Sequence, residues 1–151
     1  MSLTDANTGT AVGRDGWILR TTDGGVTWVI PNTVTTNLIS CVTLTGPNAV
    51  TLVVADTGII RSADGGATWV GQDSGTSNPL HAATFTDEST GMVVGSQGTI
   101  LRTTDGGDTW VSQVNGTTET LRAVSFADAN TGTVVGGAAR SYEPPTAVRP
   151  G

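Results

Sequence analysis

The sequence predicts an all-β chain: a partial β-propeller of about three and a half four-stranded antiparallel blades, cut from a larger ring of about six to eight. Two observations carry this. The turn Asp-Gly-Gly-x-Thr-Trp occurs three times, ending at Trp28, Trp69 and Trp110, with 41 residues between successive tryptophans. Short runs rich in Val, Ile and Thr separate these turns and are bounded by Gly, Asn and Asp clusters, the punctuation of many-turned β structure. A unit repeated at this period buries its apolar face only against a neighbouring copy, so the chain reads as an array.

The third copy shows the unit most clearly, with strands expected at 80–86, 91–95, 99–103 and 109–113. Its joins are tight: Asp87-Glu88-Ser89-Thr90, Ser96-Gln97-Gly98 and Asp105-Gly106-Gly107 all have turn chemistry. The second copy, a blade at 38–72, departs at Gly46-Pro47-Asn48 and at Gly58, which arrives one residue late relative to Gly98. The first copy is a partial blade at 1–31, in which Leu3 aligns with Phe85 and Phe126. A second partial blade occupies 121–137, after which the pattern collapses.

The tail 138–151 back-translates, with suitable codons, to DNA that reads Gly-Thr-Ile-Leu-Arg-Thr-Thr-Asp-Gly-Gly-Gln-Thr-Trp in another frame. Those thirteen residues are the repeat that the period requires, so the tail reads as a frameshifted fourth turn and the chain as a fragment of a longer propeller. The Tyr142-Glu143 pair lies in that tail and is discounted as a catalytic pair.

In each turn the aspartate, Asp23, Asp64 or Asp105, can accept backbone N–H groups across the hairpin. The glycines, among them Gly25, Gly66 and Gly107, are free to take positive φ, and each tryptophan is placed to pack on a neighbouring unit. Arg20, Arg61 and Arg102 recur three residues ahead of each Asp and read as architecture bonding a neighbour, more than as a basic patch. Ser40, His81 and Arg122 share one register near the start of the innermost strand but differ between copies. Such variation marks either a binding rim at the channel mouth or neutral drift. Trp17, in the register of Thr99, reads as edge packing, and Cys41 as a small, buried strand residue.

Net charge is −6, with seven arginines and no lysine, which argues against nucleic acid as a partner. One cysteine and one histidine give no metal-ligand spacing and no nucleophilic triad, so neither a cofactor nor a metal is expected. No apolar run is long enough for membrane insertion. The turn carboxylates Asp5, Asp87 and Asp128 occupy repeat positions and offer no acid–base pair.

The wording Ser/Thr-x-Asp-x-Gly-x-Thr-Trp resembles the Asp-box, or BNR, repeat. The fuller pattern, Leu-x-x-Val-x-Phe-x-Asp at Leu121 to Asp128 followed by Thr-Gly-x-Val-Val-Gly, looks most like the photosystem II assembly-factor-like group of propellers. That resemblance implies a non-catalytic binding or assembly scaffold with a protein partner, exported by family habit. The alternative it leaves is a fragment of an Asp-box glycoside hydrolase whose catalytic residues lie elsewhere. Open blade edges invite self-association, but merging the two partial blades duplicates a strand at each seam, so poor ring closure is expected.

Overall fold

The computed structural model describes residues 1–142, apart from 32, 47, 57, 129, 138 and 139, and the side chains of 140–142 are not described. The described residues form fourteen strands in four antiparallel sheets, with no α-helix among them. The first sheet is β1 (Ser2–Leu3), β2 (Gly9–Val12) and β3 (Ile18–Thr21), and its fourth strand is reduced to one bridge between Arg20 and Val29. The second is β4 (Ile39–Leu44), β5 (Val50–Val54), β6 (Gly58–Ser62) and β7 (Val70–Gln72). The third is β8 (Leu80–Phe85), β9 (Gly91–Gly95), β10 (Ile100–Thr103) and β11 (Val111–Ser112). The fourth is β12 (Leu121–Phe126), β13 (Gly132–Gly136) and β14 (Arg140–Tyr142). Every sheet is a meander, each strand bonding to its sequence neighbour, as a propeller blade requires.

β14 falls within the tail 138–151. It pairs Ser141 with Val135 as β10 pairs Ile100 with Val94, both members displaced by 41, so its backbone takes the third-strand register. Residues 143–151 lie outside the described residues.

The core sits between sheets, and it is built three times from the same positions. Ile18 of the first sheet packs with Ile39, Val42 and Leu52 of the second, and Val12 lies against the same cluster. Val53 and Ile59 of the second sheet pack with Leu80, Ala83, Val93 and Leu101 of the third. Val94 and Ile100 of the third meet Leu121 and Val134 of the fourth. Each of the first three sheets therefore presents a back face (Val12/Ile18, Val53/Ile59, Val94/Ile100) that its successor's front face covers. Period-2 alternation along each strand sends these residues to opposite faces of one sheet, which is why both faces of a central blade are apolar.

The tryptophans join the same interfaces unequally. Trp69 lies against the cluster between sheets one and two, and Trp110 against the next, where its ring also meets the Phe85 ring edge-on at a centroid distance of 6.1 Å. Trp28 instead is 39% exposed, because no sheet among the described residues stands in front of the first one. Trp17 is 53% exposed. Its counterpart Thr99 fills a small polar niche, donating to the Ser96 carbonyl and accepting from Asn78 Nδ2, which an indole cannot occupy.

Candidate functional site

The Asp-box turns come first, because they fix the ends of the strands. In the second, Asp64 Oδ1 accepts the Thr68 N–H at 2.8 Å and the Ser62 hydroxyl at 2.8 Å, while Oδ2 accepts the Thr68 hydroxyl. Ser62 Oγ in turn accepts the Gly66 N–H at 2.8 Å. Asp23 and Asp105 repeat this set with Thr21 and Thr27, and with Thr103 and Thr109. The indole N–H of Trp28 and of Trp69 donates to the carbonyl of Gly25 and of Gly66, at 3.1 and 3.0 Å. Gly25, Gly66 and Gly107 all have φ between 87° and 101°, the left-handed region that a side chain strains to enter.

These donors stabilise the ionised carboxylates. The side-chain hydroxyl and backbone N–H of the following threonine, with the preceding Ser/Thr hydroxyl, hold Asp23 and Asp64 down from 3.8 to about 2, and Asp105 lower still. A carboxylate depressed in the folded state contributes stability that is complete above its unfolded value and is lost as pH falls through the folded one. The urea midpoint should thus stay flat above about pH 5 and drop between about pH 4 and 2. In Asp64→Asn that drop should be shallower, and an acid profile identical to the parent's would count against the assignment.

The repeat arginines reach from one sheet to the next. Arg20 Nη1 donates to the Gly65 carbonyl in the following Asp-box turn. Arg61 lies 3.7 Å from Asp108 Oδ1 in the third turn, and a Cβ on Gly106 would stand 3.0 Å from its Nη2. Both cations thus sit against an inter-blade turn, and no hydrogen bond or ion pair to the Arg102 side chain is found among the described residues.

Ser40, His81 and Arg122 fall at one structural feature the sequence does not reveal. The pairing register shifts between Ile39 and Cys41, between Leu80 and Ala82, and between Leu121 and Ala123. Each of the three is therefore the extra residue of a β-bulge at the start of an innermost strand. A bulge re-aims the side chain it carries and is over-represented beside functional sites. Ser40 and Arg122 are exposed and His81 is half-buried. His81 Nε2 lies 2.9 Å from Ser96 Oγ, so the 96–98 turn fixes the imidazole. Partial burial, and then the charge of Arg122, depress the His81 pKa, which keeps the ring neutral near pH 7. Arg122 is then the formal charge of the row.

Cys41 lies between the inner strands β4 and β8, accepting the Ala83 N–H at 3.4 Å, and burial pushes its thiol pKa up. It is a packing residue of the inter-blade cluster. Two shallow clefts flank the linker between the second and third sheets, of about 230 and 280 Å³; Ser74, Thr76 and Asn78 line both. Among the described residues, no group of three or more His, Cys, Asp or Glu stands close enough to hold a metal ion, and no helix is long and apolar enough to cross a membrane.

The model of the family described as Photosynthesis system II assembly factor YCF48 matches residues 72–140. The chain has the β-propeller fold, and over residues 72–140 it is similar to that family. A solved structure described as YCF48 bound to D1 peptide superposes with a TM-score of 0.76 at 22% identity, covering 95% of this chain and 50% of that one. YCF48 from Cyanidioschyzon merolae gives 0.69 at 23% identity, over 95% and 54%. The GH74 xyloglucanase from Xanthomonas campestris gives 0.65 at 14% identity, over 88% and 26%, a likeness of fold alone. The chain spans about half the length of the YCF48 structures it matches, at 50% and 54%. No curated protein matches its sequence.

Proposed function

We propose that this BNR chain is a non-catalytic binding scaffold that takes an extended peptide of a protein partner at the channel mouth, across Ser40, His81 and Arg122. The observation that carries the reading is the run of three bulges, which sets one variable side chain per blade on adjacent inner strands. The second strands that pair with the bulged ones, β5 and β9, are largely buried and keep their role from blade to blade, so the bulge positions are free to vary and specificity can reside there. A related propeller described as bound to D1 peptide supports a peptide as the class of ligand. The glycosidase alternative keeps only its fold likeness to GH74 enzymes, because the carboxylates of Asp5, Asp87 and Asp128 are each committed to backbone N–H groups of their own turns.

Selection from a displayed library of random peptides tests the reading. Peptides should be enriched whose binding weakens at least ~10-fold in Arg122→Ala, a loss of about 1.4 kcal/mol, with the urea midpoint unchanged. Enriched peptides that ignore both Arg122→Ala and His81→Ala would overturn it, as would a selection that enriches nothing.

A further inference from the structure

Of the seven asparagines, Asn115 alone is followed by glycine. It lies in the linker from β11 to β12, and its side-chain amide fastens that linker to the third sheet. Nδ2 donates to the Gly98 carbonyl at 2.6 Å and to the Gln113 carbonyl at 3.4 Å, while Oδ1 accepts the Thr117 N–H at 3.0 Å. Gly116 is exposed at φ 74°, and a Cβ built on it would meet no atom within 4 Å. Its N–H donates to no described residue.

The Asp-box turns supply the contrast, because they too place a carbonyl-bearing side chain before glycine, at Asp23, Asp64 and Asp105. There the glycine nitrogens are committed: Gly24, Gly65 and Gly106 donate to the carbonyls of Asn7, Asn48 and Ser89 at 2.9, 2.8 and 2.7 Å. Their carboxylates are also held ionised by their own donors, and a carboxylate anion is a poor electrophile. Of these four steps, only Asn115–Gly116 joins a free backbone nitrogen to an uncharged acyl carbon.

We propose that Asn115 is a site of spontaneous deamidation, and that its conversion releases the linker from the 96–98 turn. Asparagine is a thermolabile residue, and a following glycine has no side chain to hinder ring closure. Solvent hydroxide takes the Gly116 N–H proton, and the nitrogen bonds Asn115 Cγ. The Thr117 N–H, already on Oδ1, stabilises the oxyanion that forms there. The Cγ–Nδ2 bond then breaks, Nδ2 takes a proton from water and leaves as ammonia, and a cyclic succinimide remains. Water opens the ring at one carbonyl or the other, giving aspartate or isoaspartate; in net terms a water is gained and an ammonia lost. Both products lose the amide donor. In the aspartate an anionic oxygen faces the carbonyls of Gly98 and Gln113, and the isoaspartate also lengthens the backbone by a methylene. The Gly98 N–H, which donates to the Glu119 carbonyl of the same linker at 2.8 Å, then loses its support.

Peptide mapping by mass spectrometry locates the reaction on the whole chain, aged in mildly alkaline buffer at physiological temperature. Asn115 should convert at least ~10-fold faster than any other asparagine, at a rate that rises with hydroxide. Hydrogen exchange on the aged chain, and on freshly made Asn115→Asp, should show the Gly98 amide at least ~10-fold less protected than in the fresh parent. Circular dichroism keeps this local release separate from global unfolding. Conversion spread evenly over the asparagines, no conversion at Asn115, or an aged chain whose Gly98 amide keeps its full protection each overturns the proposal.

Discussion

Replacing Trp110 with alanine lowers the unfolding free energy by about 3 kcal/mol, whereas Trp28→Ala lowers it by about 1 kcal/mol or less. Both residues end the same motif, and their backbone surroundings match through the Asp, the Thr pair and the two glycines. What differs is the neighbour. Trp110 lies against the cluster of Val53, Ile59, Leu80, Ala83, Val93 and Leu101 and meets Phe85 edge-on, so its removal opens a cavity across a blade interface. Its indole N–H is buried and has no acceptor among the described residues, so truncation forfeits packing and none of the hydrogen bonds described. Trp28 keeps a hydrogen bond to the Gly25 carbonyl, but its ring is 39% exposed, and no sheet among the described residues stands in front of it. Urea unfolding of the two variants side by side, at a concentration where the chain is monomeric, reads the difference. Equal losses would mean that the tryptophan stabilises its own turn and contributes little between blades.

That contrast marks where the sequence is legible and where it is not. That the Asp accepts backbone N–H groups across the turn could be read from spacing, because a carboxylate and two glycines at fixed offsets have few ways to satisfy a tight hairpin, whereas the bonds from the Ser and Thr hydroxyls appear only in the structure. The sheet order followed from the 41-residue period for the same reason. The partners of Arg20 and Arg61 were not legible in detail: periodicity placed the side chains on the third strand, but only the stacking angle of consecutive sheets brings them to Gly65 and Asp108. The bulges at Ser40, His81 and Arg122 leave no mark in composition. They emerge from counting ladder partners on both strands, and variation between copies was the one sequence signal that pointed to them. The environment of Thr99, the aligned partner of Trp17, was not legible either, because its hydrogen bond depends on Asn78, in a different stretch of chain.

Gly98→Ala costs about 3 kcal/mol and Gly58→Ala about 1 kcal/mol, although the two glycines occupy corresponding turns of neighbouring blades. Both are left-handed, at φ 67° and 85°, so an alanine pays the same backbone strain at each. Space separates them. A methyl on Gly98 would overlap the carbonyl of Thr117, and backbone cannot swing aside as a side-chain tip can. At Gly58 the nearest atom is Ser74 Oγ at 3.8 Å, ordinary contact distance. The close approach at Gly98 has a purpose, since its N–H donates to the Glu119 carbonyl at 2.8 Å and its own carbonyl accepts from Asn115 Nδ2, which together pin the linker leading into β12. The same turn carries Ser96, the partner of His81, and the linker enters the strand that carries Arg122. Gly98→Ala should therefore weaken peptide binding at the channel mouth as well as stability, while Gly58→Ala leaves binding within about twofold of the parent. Urea midpoints paired with peptide titrations distinguish these outcomes. If Gly98→Ala proves as mild as Gly58→Ala, the linker yields to the methyl, and the bulge row is then less firmly positioned than its hydrogen bonds imply.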